Sequence, residues 1–278
     1  MKKVLIFGAV KHVIKKAKEL GYETIVIDQN PNIACIKQAD KFKNISFEAY
    51  EECLQYAREE HVDGVVTATE FAVLTASYVA NKMNLPGLDF EVAKLVKSKY
   101  EIRKKMQEKY ITNVPQFYEV SKIEELYEIK DKIKFPIILK PCSGLGSLYV
   151  YKIDDFETLM QKIQEVINGS FNGRALIETF IEGQEYGIES FVYNGKVHIL
   201  AIMKKNMTNL PYRSELGHST PSELPREIES KIEEIVSRLI RETGIKNGPV
   251  NMDMILSKEN EPYIVDVGAR MGGNAITS

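Results

Sequence analysis

The chain has 278 residues, 44% hydrophobic and 27% charged, enough to bury two or three separate cores without disulfide or metal staples. A formal net charge of -2 excludes any sequence-wide attraction for nucleic acid or an anionic membrane. Three cysteines, Cys35, Cys53 and Cys142, lack CxxC spacing, and the apolar run near the start is too short for a signal core or a membrane span, so a cytoplasmic setting is expected.

In chain order, "KVLIFGA" reads as a buried strand, 10–20 as a helix, "ETIVID" as a second strand, and "DGVVTAT" as a third after an intervening helix. That alternation implies a parallel sheet. Helical patterns follow at about 70–83 and 91–110, with "LPGLD" between them as a boundary, so a Rossmann-like first domain is set at 1–96 and the remainder at 97–278. "VPQFYEV", "FPIILKP" and "SLYVYK" read as strands and 154–167 as a helix, giving a small α+β lobe at about 113–177. From about 178 to 278, "EYGIESFVYNGKVHILAIMKK", "PVNMDMILS" and "PYIVDVG" predict an antiparallel sheet crossed by a helix at 226–243, and "RALIETFI" is grouped with it. "YNGK" signals a tight hairpin, and "NMTNLPYRSELGHSTPSELP" reads as one long irregular loop.

The glycines of "PCSGLGSLYVYK" lie between two strand-like runs with no GK[ST] after them, which argues against a P-loop; "FGAVKH" offers only Gly8 where a dinucleotide fold needs GxGxxG. What remains is a hairpin whose tip, including Ser143, Gly144, Gly146 and Ser147, lays backbone N–H groups over a polyphosphate, or else an ordinary tight turn. Lys140 ends the strand entering this tip and Lys99 lies on a helix before the lobe, so two ammonium groups can flank one phosphate chain. In "IETFIEGQE", Glu178 and Glu185 bracket the segment holding Phe180 and Ile181; such a segment suits a purine edge and a ribose, although exposed strand-edge glutamates read the same way.

"NMDMILSKENEPYIVDVGAR" reads as two strands joined at 257–261, and a turn symmetric about Glu259 and Asn260 sets Asp253 opposite Asp266. Like charges directly opposite repel, and magnesium neutralises such a pair while taking its other ligands from phosphate and water. A register slipped by one residue would instead send one aspartate to solvent. Arg270, at the strand end, has the planar charge to stabilise a transferring phosphoryl group.

Lys99, "IILKP", "CSGLGS", "IETFIEGQE", Asp253 and "IVDVGAR", in this order, resemble the ATP-grasp superfamily over nearly the whole chain. The resemblance implies a Rossmann-like N-terminal domain that need not bind a dinucleotide, a small α+β lid lobe and an antiparallel-sheet C-terminal lobe, with ATP between the two antiparallel sheets. It implies phosphate contacts from Lys99 and Lys140, an adenine border at Glu178, a ribose acceptor in Glu185, Mg2+ ligands in Asp253 and Asp266, and a phosphoryl contact from Arg270. The loop "SELGHSTPSELP" is similar to one in the amino-acid and dipeptide ligase branch, where an acid and a histidine three positions on line the substrate site; Glu215 and His218 match, and Lys204 or Lys205 offers a further phosphate contact. Two departures stand out. "DVG" replaces the common Glu-x-Asn, leaving Gly268 without a side-chain ligand for a second metal, and the chain stops soon after the last motif, so the C-terminal lobe is expected to be incomplete. The implied activity is an ATP-dependent carboxylate-amine ligase acting on small molecules, with ATP binding without turnover as the alternative; no nucleic acid or membrane partner is expected, and a homodimer is one option for its assembly.

Overall fold

The computed structural model describes residues 1–144, 148–208 and 215–273. Its first lobe runs β1 (Lys3–Phe7), α1 (Lys11–Glu19), β2 (Glu23–Asp28), β3 (Lys41–Asn44), α2 (Tyr50–Glu59), β4 (Gly64–Thr67) and α3 (Val73–Lys82). The strands form a parallel sheet in the order β3-β2-β1-β4. Leu5, Phe7, Ile25 and Ile27 pack on α2 and α3, while Ile6 and Val26 pack on Ile14 of α1, which is why both central strands read as unbroken apolar runs. β3 escapes a sequence reading because "KFKN" is a largely exposed, lysine-bearing edge, a composition that discourages further pairing.

The helical pattern at 91–110 resolves into two helices, α4 (Phe90–Lys97) and α5 (Lys99–Glu108). Ser98 is extended between them, and its hydroxyl accepts from the Glu101 N–H at 3.3 Å, capping α5. The break makes Lys99 the first residue of α5, where its own N–H donates to the Cys142 carbonyl at 3.0 Å. Lys99 and Arg103, one turn apart, therefore share a face.

The second lobe holds β5 (Phe117–Val120), α6 (Glu125–Ile129), β6 (Ile137–Pro141), β7 (Tyr151–Ile153), α7 (Phe156–Gly169) and β8 (Ala175–Thr179), with sheet order β5-β8-β6-β7. β8, carrying "ALIET", thus belongs to this sheet and not to the following one: it pairs with β5 and β6, and its Ala175 and Ile177 fill the core against α7.

The third lobe contains β9 (Gly183–Tyr193), β10 (Lys196–Met207), β11 (Glu215–Ser219), α8 (Arg226–Thr243), β12 (Gly248–Ser257) and β13 (Pro262–Gly268), in an antiparallel sheet ordered β11-β10-β9-β12-β13. The hairpin at "YNGK" forms with positive φ at both Asn194 and Gly195, as a tight two-residue turn requires. β11 lies inside the stretch read as irregular; "ELGHS" has no apolar alternation to announce a strand, yet it pairs with β10 as an edge. One face of this sheet buries Ile188, Val250, Met252, Met254 and Ile264 under α8 and α5, leaving the opposite face to line a cleft.

The hairpin β12–β13 contains a β-bulge. Near its turn Leu256 pairs with Pro262 and Met254 with Ile264; one step on, Asp253 pairs with Asp266, leaving Val265 as the extra residue. The turn is therefore centred on Glu259, and the bulge supplies the one-residue shift that brings the two aspartates opposite each other. Strict alternation would have put Asp266 on the core face with Ile264.

In the first lobe, Asp40 accepts from Lys18 Nζ at 2.8 Å, Thr24 N–H at 2.9 Å and Thr24 Oγ1 at 2.8 Å. These bonds, that from Lys18 foremost, hold its carboxyl at about 2 against an ordinary 3.8. A depressed native pKa adds stability above the ordinary value and loses it as pH falls through the native one. Asp40→Asn should lower the melting temperature at pH 7, with the gap from wild type closing between pH 3.8 and about 2; a gap unchanged over that range would contradict the assignment.

Candidate active site

Two rows of side chains cross the cleft face of the third-lobe sheet. The first runs Met203, Gly187, Asp253, Asp266 from β10 to β13; the second runs Ala201, Glu189, Asn251, Gly268. Beside the first row Lys205 stands opposite His218. Lys205 is 8% exposed and donates to Asp253 Oδ1 at 2.7 Å and Glu215 Oε2 at 3.1 Å, whereas Lys204 pairs on the other face with Glu223 at 3.8 Å. Lys205 is thus the inward lysine. Gly187 lies against this pair: a Cβ there would make ordinary contact, 3.5 Å from Lys205 Cε and 3.4 Å from His218 Nε2.

The other wall comes from α5 and the lid sheet. Lys99 Nζ lies 3.1 Å from Asp266 Oδ1. Lys140, 6% exposed on β6, donates to Glu178 Oε1 on β8, and the fully buried Arg103 donates from Nε to Glu178 Oε2 at 2.9 Å. Both cations also reach the carbonyl of the bulged Val265, Arg103 Nη2 at 2.7 Å and Lys140 Nζ at 3.4 Å. Burial pushes the Lys140 ammonium below its usual range, against the pull of Glu178. Burial alone would raise Glu178, but Arg103 and then Lys140 reverse this and hold its carboxyl below the carboxylate range. The two aspartates split similarly: burial raises Asp253 despite Lys205, while the Lys99 charge overcomes burial and keeps Asp266 low.

Glu178, expected at an adenine border, is bound to the two buried cations. Phe180 and Ile181 line a cleft of about 340 Å³ at the hinge between the lobes, together with Val114, Gln116 and Tyr263; the Phe180 N–H is committed to the Pro136 carbonyl at 3.0 Å. Glu185 lies on β9 opposite Ile255 of β12, two residue pairs from the aspartates' row towards the turn. Ser143 is tied to the end of α7, its carbonyl accepting from Phe171 N–H at 2.9 Å and Ser170 Oγ at 3.2 Å, and Gly144 follows it against Pro141. Gly146 and Ser147 lie outside the described residues. His218 Nδ1 is 3.6 Å from Glu215 Oε1, and its buried Nε2 has no hydrogen-bond partner among the described residues.

Arg270 reaches back to the first lobe: Nε donates to Glu70 Oε2 at 2.7 Å and Nη1 to the Met271 carbonyl at 2.7 Å. Lys97 Nζ holds the other oxygen of Glu70 at 3.0 Å. Glu189, 3% exposed, accepts from Asn251 Nδ2 at 2.7 Å and from the Gly272 N–H at 3.2 Å. Sequence reasoning missed Arg103, Glu70 and Glu189. The first was available as the residue one turn after Lys99, and the second as an acid just past the carboxyl end of a parallel strand, where α/β sites gather.

Asp253 and Asp266 offer hard carboxylate oxygens from paired positions, a donor set that suits magnesium. Among the described residues no three His, Cys, Asp or Glu side chains cluster as a cation cage, so nucleotide oxygens and water would complete the shell.

A parallel-sheet lobe followed by two antiparallel sheets that enclose a lysine- and carboxylate-lined cleft defines a nucleotide-grasping scaffold. The ATP-grasp domain family matches residues 133–278 and the ATP-grasp N-terminal domain family residues 14–87, and the chain belongs to the ATP-grasp family. The crystal structure of L-amino acid ligase from Bacillus licheniformis superposes with a TM-score of 0.85 at 26% identity, covering 98% of this chain and 68% of that one. The L-arginine-specific L-amino acid ligase of Bacillus subtilis is 23% identical over 77% of this chain and 53% of its own length. The carbamoyl phosphate synthase large chain of Clostridium acetobutylicum is 24% identical over 93% of this chain and 24% of its own. The chain therefore spans about a quarter to a half of these curated relatives. The expected α/β and α+β architecture is the one found.

Removing Arg103 leaves the carboxylate of Glu178 with one cation and strips a donor from the bulge carbonyl. Lys140 still pairs with Glu178, so the loss is that of charge-assisted hydrogen bonds, about 1.5–3 kcal/mol. Arg103→Met is expected to lose that much in urea denaturation, and a loss under about 0.5 kcal/mol would contradict the geometry.

Proposed function

We propose that the protein is an ATP-dependent carboxylate-amine ligase of small molecules, a cytoplasmic enzyme forming an amide or peptide bond and releasing ADP and phosphate. The observation that carries this reading is the register pair Asp253–Asp266 inside a cleft that also holds Lys99, Lys140 and Lys205. In support, the L-amino acid ligase structure superposes on nearly all of this chain. No helix of the described residues is long and apolar enough to cross a membrane, and Cys35, Cys53 and Cys142 are free thiols, as a reducing compartment permits.

The polyphosphate lies along the lysines, with adenine towards the hinge cleft at Phe180 and Ile181 and ribose towards Glu185. Asp253 and Asp266 would hold magnesium, whose charge would offset that of the terminal phosphates. A substrate carboxylate attacks the γ-phosphorus, its oxygen forming the new P–O bond while the β–γ bridging oxygen leaves with ADP. The amine then attacks the acyl phosphate carbon, expelling phosphate as the ammonium proton is lost. Arg270 neutralises charge on the phosphoryl oxygens, and Glu215 and His218 border the substrate end. The lobe at 113–177 closes over the site and excludes water that would hydrolyse the intermediate.

A second reading, ATP binding without turnover, is favoured by Gly268, which brings no side-chain ligand where many family members carry asparagine. Mixing the protein with ATP, magnesium and a panel of amino acids separates the two. The ligase reading expects ADP release that depends on the amino acid and falls about 10²-fold or more in Asp266→Asn. Equal release from wild type and variant removes the assigned metal role, and tight ATP binding by calorimetry with no turnover across the panel favours the second reading.

A further inference from the structure

Each aspartate of the paired row already has a lysine. Asp253 Oδ1 is 2.7 Å from Lys205 Nζ, and Asp266 Oδ1 is 3.1 Å from Lys99 Nζ. The lysine side chains are 9% and 16% exposed, so neither is a solvated arm that drifts away freely. A divalent cation bound to these same oxygens sits about 2.0–2.1 Å from them, which would leave it within about 5 Å of both ammonium groups. Positive charges that close repel strongly in a partly desolvated cleft. The cation and the lysines therefore compete for one pair of carboxylates.

Resting on the reading of this cleft as a magnesium–nucleotide site, we propose that Lys99 and Lys205 are resident counter-ions of the acid pair, exchanged on binding. The nucleotide's phosphate oxygens draw the ammonium groups off the aspartates as the divalent cation takes their place. The carboxylates gain the metal, the lysines gain the phosphates, and no charge is left unpaired. Lys205 is built for the exchange, because Glu215 Oε2, 3.1 Å away, retains it near the cleft when Asp253 lets go. Neither ligand alone completes the cycle: a bare cation takes Asp266 from Lys99 and leaves Lys205 with Glu215 alone, and a bare polyphosphate leaves two aspartates facing each other unneutralised. The ligands therefore bind with positive and reciprocal coupling. The lysines consequently oppose cation binding in the absence of nucleotide.

The test uses Mn2+ as the cation, followed by its electron paramagnetic resonance signal, with ADP binding measured by calorimetry. In wild type, ADP should tighten Mn2+ binding by at least about fivefold, and Mn2+ should tighten ADP by the same factor. In the nucleotide-free protein, Lys205→Met and Lys99→Met should bind Mn2+ more tightly than wild type does, again by about fivefold or more, while losing ADP affinity. Asp253→Asn should bind metal-free ADP more tightly than wild type, and Lys205→Gln and Lys99→Gln serve where the methionine variants do not fold. Nucleotide-free Mn2+ affinity that is unchanged or weaker in folded lysine variants, with wild-type coupling intact, overturns the exchange while leaving the site assignment standing. A wild-type protein that binds no ADP with or without Mn2+ overturns the site assignment, and the exchange with it.

Discussion

The site depends on one off-ladder carbonyl. At Val265 the strand gains a residue, and its C=O, turned out of the sheet, is bound by Arg103 and Lys140. A carbonyl taken off the ladder and partly buried is costly without a partner, and these two cations supply its partners. Its geometric consequence reaches two strands away. The shift places Asp266 in the row of Asp253 and Gly187 and keeps Ile264 and Val267 in the core. One local irregularity thus reconciles an apolar core face with an acidic cleft face.

The same helix that supplies Arg103 supplies Lys99. Ser98 interrupts the helical run and restarts it, so that the first turn of α5 points one cation at Asp266 and the next points another at Glu178 and Val265. Around Glu178 two cations share one carboxylate. That buried cluster keeps a net positive charge beside the cleft, held before any ligand arrives, and preorganised charge of this kind stabilises phosphate without reorganisation. Had Glu178 lacked Arg103, Lys140 alone would have been neutralised by it and the wall would carry no surplus.

The fold was legible in the sequence wherever periodicity spoke. Buried parallel strands in the first lobe, the helix Arg226–Thr243, and the hairpin at Asn194 and Gly195 all carry unmistakable patterns. It was less legible where tertiary pairing decides. "KFKN" and "ELGHS" become strands because a neighbour offers an open edge, and "ALIET" joins the lid sheet because it completes the core over α7. The facing aspartates were reached from the sequence through a turn one half-step off centre, which the bulge then compensates; a bulge leaves no mark in a list of residues. Glu189 was hidden for another reason: its role comes from Asn251 and from the Gly272 N–H, both far away in sequence.

Gly268 shows how a departure from a family pattern is absorbed elsewhere. A Cβ at this position would stand 3.7 Å from Glu70 Oε2 and from Arg270 Cγ and Cζ. That is ordinary contact for one atom, but the longer asparagine found in the Glu-x-Asn pattern would have to turn away or displace the pair. Without it, the carboxylate of Glu70 crosses from the first lobe to grip Arg270, while Lys97 holds its other oxygen. The guanidinium is thereby fixed by an acid of the parallel-sheet lobe at one end and by the Met271 carbonyl at the other. The lobe that lacks a dinucleotide fingerprint is thus part of the cleft, and what it contributes is the orientation of the arginine.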